Sequence, residues 1–322
     1  MKAVVLERPC SAEELSVCDV PMPQARPGWV VVKIKAFGIN RSEIFTRQGD
    51  SPSVKLPRIL GIECAGEVED PSDSKFVKGQ RVISMMGGLG REFDGSYAEY
   101  TLIPSTQIYP VKGDLDFTKL AAIPEMYYTA YASLFEVLRL TTKDTLLIRG
   151  GTSSVGICAL GLAKSIGATV IATTRKIEAI ALLKSQGADY VILEDEQLVG
   201  KLFSYFPNGV TKVLELVGTT TLRSSLKLLA KQGILCMAGI LGGQWELEHF
   251  EPMKDIQSGT YFTQFDSQII REDIIKEMFR HIEKYDIMIP IAKTFSLDEI
   301  SQAHQFMESN QSNGKIVIIN EA

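Results

Sequence analysis

The sequence predicts an α/β protein: an irregular β domain followed by a domain built on a doubly wound parallel sheet. Three observations predict it. The length, 322 residues, suits two domains of roughly 150 residues each. Near residue 120 the pattern changes, from strand-like runs broken by proline to strands alternating with helical periodicity. A glycine-rich turn then stands between an apolar strand and a helix.

In the first third, Lys2 to Leu6 alternates weakly, and Trp29 to Ala36 is apolar and β-branched up to Gly38. Val82 to Met85 and Ser96 to Ile103 read as further strands. Prolines 9, 21, 23, 27, 52 and 57 fall between these runs, as turns require, and no long helical pattern intervenes before about Lys119.

The later rhythm predicts strands at Thr145 to Arg149, Ala168 to Thr173, Tyr190 to Leu193, Lys212 to Val217 and Ile234 to Met237. Helical spacing starts at Ser154, at Ile177 and at Leu222. Such alternation implies right-handed crossovers and a parallel sheet. The tail predicts helices from Arg271 to Lys284 and from Leu297 to Met307, then a strand from Lys315 to Ile319. These are too few to form a core, so they are expected to return to the first domain. The expected division is 1–120 completed by 269–322, with 121–268 between.

Composition narrows the function. Forty-five per cent hydrophobic and 23% charged residues exclude a disordered chain. Thirty-four basic against 39 acidic residues give a net charge of −5, which argues against nucleic acid as partner. No apolar run reaches the roughly 18 residues of a membrane span. The start, MKAVVLERPC, is charged too early for a secretory signal. Cys10, Cys18, Cys64, Cys158 and Cys236 are odd in number and scattered, which suits reduced thiols in a cytoplasm.

The turn Gly151-Thr152-Ser153-Ser154-Val155-Gly156 matches G-x-G-x-x-G with Ser153 in the middle position. Gly151 permits the tight turn, Ser153 is small enough for a close pyrophosphate, and Gly156 lets helix and strand pack. Helix-start N–H groups then face the phosphates. The bland alternative is a glycine-rich turn without a ligand. The next strand ends Thr173-Thr174-Arg175-Lys176, with no carboxylate before Glu178. An NAD site expects an acid there, whereas Arg175 suits a 2′-phosphate, with Thr173 and Thr174 as hydroxyl donors. The pattern points to NADPH, although two basic residues at a helix start are common in solvated faces.

Further stretches fall in a recognisable order: Gly38-Ile39-Asn40-Arg41-Ser42-Glu43, Leu56 to Gly66, Gly79-Gln80-Arg81-Val82 and Gly95 to Tyr100. Ala121-Ala122-Ile123-Pro124, Thr129-Ala130-Tyr131, the glycine turn and Gly314-Lys315-Ile316-Val317 follow. With these, nearly the whole chain resembles the zinc-independent medium-chain dehydrogenase/reductases, close to the quinone oxidoreductase (zeta-crystallin-like) branch. The resemblance implies a GroES-like β domain, a Rossmann domain, an active site in the cleft between them, and a homodimer. Strands near 234 to 247, with Trp245 or Leu247, are expected at the dimer axis.

Where zinc-dependent relatives place cysteine and histidine ligands, this chain has Asn40 and Ile62, so no metal is expected. Without a Lewis acid, a quinone or an α,β-unsaturated carbonyl is the easier hydride acceptor, because its charge spreads over a conjugated system that neutral donors can stabilise. Asn40 is the first candidate donor, with a turn residue as the alternative. Tyr127 and Tyr128 are candidate donors or core residues, and the resemblance places Thr129 at the nicotinamide. Gly239 offers a small turn after the fifth strand. Three departures stand out: Ala179 where a 2′-phosphate lysine is common, Leu193-Glu194 where Asn-Tyr is common, and the apolar Ile240. The expected function is a cytoplasmic NADPH-dependent reductase of a small quinone or enone. The alternatives are a metal-free reductase of another activated double bond, and a non-catalytic NADPH-binding protein.

Overall fold

The computed structural model describes residues 1–320. One compact unit comprises Met1–Glu125, Ser267–Glu272 and the chain from Ile289 on; the other comprises Met126–Asp266 and Asp273–Met288.

The first unit begins with β1 (Lys2–Leu6), β2 (Val17–Asp19), β3 (Trp29–Ile39) and α1 (Arg41–Gln48). It continues with β4 (Arg58–Ile59), β5 (Glu63–Asp70), β6 (Arg81–Met85), β7 (Tyr100–Pro104), β8 (Tyr109–Pro110) and α2 (Phe117–Ala122). After α3 (Pro124–Tyr131) the second unit holds β9 (Thr145–Arg149), α4 (Ser154–Ser165), β10 (Thr169–Thr174), α5 (Ala179–Ser185) and β11 (Tyr190–Leu193). It adds α6 (Leu198–Tyr205), β12 (Val210–Glu215), α7 (Thr219–Lys227), β13 (Leu229–Met237), α8 (Pro252–Asp255) and β14 (Tyr261–Gln264). The last elements are α9 (Glu272–Lys284), β15 (Ile291–Ser296), α10 (Ile300–Glu308) and β16 (Lys315–Ile319).

In the first unit β3 is the hub. It pairs antiparallel with β5, β7 and β16, and β16 pairs parallel with β15. Val30, Val32, Ile34 and Phe37 of β3 enter one core with Ile316 and Ile318 of β16. The returning strand is therefore part of the sheet, and Val317 lies opposite Gly38.

His304 of α10 is fully buried in this unit, its Nε2 2.9 Å from the Tyr97 hydroxyl. Its Nδ1 has no partner among the described residues. Burial, with Arg47 adding repulsion, holds the imidazole down at about 3. A depressed base contributes stability present above its unfolded pKa of about 6.5 and lost as pH falls towards its folded value. Urea denaturation is expected to show about 2 kcal/mol less stability at pH 5 than at pH 6.5 from this group. His304→Gln should flatten that difference; an unchanged slope would disprove the assignment.

The second unit is a six-stranded parallel sheet in the order β11-β10-β9-β12-β13-β14. The order reverses between β9 and β12, the place where such sheets bind ligands at their carboxyl ends. Leu147, Ile171, Val213 and Leu235 of its strands share a core with Leu202 of α6 and Leu222 of α7.

Two details differ from the sequence expectation. The tail divides: α9 lies mostly in the second unit, because its apolar stripe Ile274, Ile275, Met278 and Ile282 is buried and His281 hydrogen-bonds Ser165 of α4. The fifth strand ends at Met237 as the sequence predicts, but 238–247, expected among the strands at a dimer axis, holds no strand. Leu247 is partly buried against the unit's own core, and Trp245 is 55% exposed.

Candidate functional site

The turn after β9 is shaped by its glycines. A Cβ at Gly156 would lie 2.5 Å from the Gly150 oxygen, and one at Gly151 would lie 3.0 Å from the Thr173 oxygen. Only glycine lets α4 start this close to the strand. Ser153 is the N-cap: its hydroxyl accepts from Gly156 N at 3.1 Å and donates to Gly150 O at 2.8 Å. The backbone N–H groups of Thr152, Ser154 and Val155 carry no hydrogen bond among the described residues. Three open donors at the start of a twelve-residue helix make a seat that could hold an anion.

β10 is tied to that seat. Gly151 N donates to Thr173 O at 3.0 Å, and Gly150 N donates to the Thr173 hydroxyl at 3.2 Å. The Thr174 hydroxyl accepts from Lys176 N. Both threonines are buried and engaged in shaping the backbone. Arg175 is exposed and has no ion-pair partner among the described residues. Gly239 is needed sterically, since a Cβ there would lie 2.6 Å from Leu216 O.

Arg149, the last residue of β9, escaped the sequence reading. It is 2% exposed. Its guanidinium pairs with both oxygens of Glu194, and Nη1 donates to Ser224 at 3.1 Å and Ser225 at 3.0 Å. The Ser225 hydroxyl bonds Glu215, whose carboxylate also accepts from Val217 N and Gly218 N. Burial pushes the Glu215 carboxyl up and Arg149 opposes the shift. One cation thus joins the ends of β9, β11 and β12. A signal was visible: a charge closing the apolar run Thr145 to Ile148.

In the first unit, Asn40 caps α1 and belongs to a buried polar ring. Its Nδ2 donates to Glu63 Oε1 at 2.8 Å, and its Oδ1 accepts from Lys315 Nζ at 2.6 Å. Lys315 and Glu63 form an ion pair, 1% and 0% exposed. The other Glu63 oxygen accepts from Glu125 N at 2.8 Å. Glu43, also buried, accepts from Asn40 N at 2.8 Å and Ile62 N at 3.2 Å. Burial pushes Glu43 up to about 7; Lys315 opposes and Glu63 adds to the shift. With Glu43 protonated, Lys315 and Glu63 leave the ring neutral, the state a buried cluster favours.

Tyr127 and Tyr128 are buried. The Tyr127 hydroxyl donates to Met288 O at 2.7 Å, and burial raises it well above the usual phenol range, so the structure places it as a core residue. The Tyr128 ring lies 6.3 Å from Phe265. Thr129 is 6% exposed on the same helix.

Residues 26–113 match the alcohol dehydrogenase GroES-like domain, and residues 186–318 match the zinc-binding dehydrogenase family. A quinone oxidoreductase of Mus musculus is 30% identical over 230 residues, 69% of this chain and 67% of the relative. The chain is a medium-chain dehydrogenase/reductase, quinone oxidoreductase-like. An NAD-dependent alcohol dehydrogenase of Saccharolobus solfataricus is 28% identical, with 99% of each chain covered. A mycobacterial protein solved in complex with NADPH is 26% identical, with 99% of each chain covered and a TM-score of 0.88.

As a medium-chain dehydrogenase/reductase, the protein is an oxidoreductase. Its donor set does not fit the zinc that one matching family is named for. Asn40 is held by Lys315 and Glu63, Ile62 has no donor atom, and no three His, Cys, Asp or Glu side chains cluster among the described residues. No helix among those residues is long and apolar enough to cross a membrane.

Proposed function

We propose that this medium-chain dehydrogenase/reductase reduces quinones or α,β-unsaturated carbonyls with NADPH and without zinc. The observation that carries the reading is the seat of Thr152, Ser154 and Val155 beside Arg175, a strand end with an open guanidinium and no carboxylate before Glu178. The N–H groups hold a pyrophosphate and Arg175 grips a 2′-phosphate. The Glu194 carboxylate one strand away, whose N donates to Thr174 O at 2.8 Å, is neutralised by Arg149. The NADPH-bound mycobacterial relative supports this reading; the NAD-dependent relative makes Arg175 its decisive residue.

Bound there, NADPH supplies a hydride. The chain's own residues hold the acceptor's oxygen as charge develops on it. Asn40 suits that role, because one Nδ2 hydrogen is committed to Glu63 and the other has no partner among the described residues. A neutral, fixed donor suffices when charge is spread over a conjugated acceptor.

The test is NADPH oxidation by the purified protein with 1,4-naphthoquinone, 1,4-benzoquinone and a medium-chain enal. Turnover unaffected by metal chelation, and kcat lowered at least tenfold in Asn40→Leu, is the expected result, about the size of one lost donor. Tight NADPH binding with no turnover of any acceptor would favour a non-catalytic binding protein. Activity that required a bound stoichiometric metal would overturn the proposal.

A further inference from the structure

We propose that Lys315 is a positioning residue: with Glu63 it fixes the flip state of the Asn40 amide and polarises it as a donor. This rests on the reading of Asn40 as donor and deepens it.

An asparagine amide has two nearly isosteric ends, and free rotation would present oxygen or nitrogen to an acceptor alike. Here both neighbours are one-sided. The Lys315 ammonium has only hydrogens to give, so it accepts no orientation but Oδ1 towards Nζ. The ionised Glu63 has only lone pairs, so it demands Nδ2. The amide is locked with its nitrogen as the spare donor. The ammonium at 2.6 Å from Oδ1 also draws electron density from the amide, which strengthens each remaining N–H as a donor.

The fold is built around this pair. A Cβ on Gly38 would lie 2.2 Å from Lys315 Cε and 2.4 Å from Glu63 Oε1, so the glycine leaves the space in which the ion pair sits. The cation comes from the last strand. Ile316 lies opposite Ile39 in the β16–β3 register, which sets Lys315 beside Asn40 although 275 positions separate them in the chain. No buried cation other than Lys315 bonds the Asn40 amide among the described residues.

Lys315→Met alone would strand the Glu63 carboxylate in the core and risks unfolding the protein. The informative variant is Lys315→Met with Glu63→Gln, which removes both charges together. Two readouts are needed on the full chain. The first is steady-state reduction of 1,4-naphthoquinone with NADPH. We expect kcat to fall about tenfold, with KM for NADPH within about threefold of the parent. The second is the side-chain amide resonance pair of Asn40, assigned by its loss in Asn40→Leu. In the parent one proton should lie downfield and the pair should exchange slowly; in the double variant the two should converge. A folded double variant with parental kcat, or an unmoved amide pair, overturns the proposal. If Asn40→Leu itself keeps full kcat, the donor reading fails, and the amide spectrum alone then decides whether Lys315 orients Asn40.

Discussion

Replacing Arg175 by aspartate is expected to weaken NADPH binding by on the order of 100- to 1000-fold while leaving NADH within a few-fold. A guanidinium gripping a phosphate makes charge-assisted bonds of about 1.5–3 kcal/mol, and aspartate adds repulsion against the same group. NADH has no 2′-phosphate, so it loses neither. Arg175 is suited to this role because nothing among the described residues competes for it and its strand end is anchored to the glycine turn through Thr173. Thr173 and Thr174, the other candidates, have hydroxyls engaged with Gly150 N and Lys176 N. Thr174→Val should therefore disturb the turn more than the phosphate preference. Calorimetric titration of the variant with both coenzymes decides the matter. Equal losses for NADPH and NADH would show that Arg175 acts on the pyrophosphate or on the backbone, and the preference would then have to come from elsewhere.

The glycine turn was legible because its physics is local. Gly151, Ser153 and Gly156 meet the demands of one strand, one turn and one helix, and all three lie within six residues. The parallel sheet was legible for a similar reason, since each strand carries its apolar run and each helix its spacing. α1 was not. Its eight residues contain only Ile44 and Phe45 as apolar side chains. It is held instead by Glu43 bonding Asn40 N, by the left-handed Gly49 at its end, and by buried Arg47 paired to Glu308 of α10. None of this has a period. The candidate site divides in the same way. The sequence singles out Asn40 as a candidate, but the partners that orient its amide come from residues 63 and 315, which only the register of β3, β5 and β16 brings together. Tyr127 and Tyr128 read as donors or as core residues in sequence, because a phenol joins a polar tip to an apolar ring; in the fold Tyr127 spends its hydroxyl on a backbone carbonyl.

Arg149→Met is expected to cost about 3–5 kcal/mol of stability, the scale of breaking a buried ion pair from one side. The guanidinium is nearly fully enclosed and compensates two carboxylates, Glu194 directly and Glu215 through Ser225. Remove it and Glu215 remains with no cation bonded to Ser225, while the turn it grips through Val217 N and Gly218 N loses its counter-charge. A second consequence distinguishes this residue from an ordinary core lysine or arginine. Glu194 would stand uncompensated next to the strand end that carries Arg175, so NADPH should be weakened more than NADH even where the protein stays folded. Denaturant unfolding at pH 7 gives the first effect and coenzyme titration the second. The double variant Arg149→Met with Glu194→Leu should recover a large part of both, because an apolar pair of similar volume replaces the ion pair. A double variant as unstable as the single would mean that Ser224, Ser225 and Glu215, not Glu194, are what Arg149 is there to hold. If NADPH and NADH then fell together, the carboxyl end of the sheet would depend on Arg149 for its shape alone.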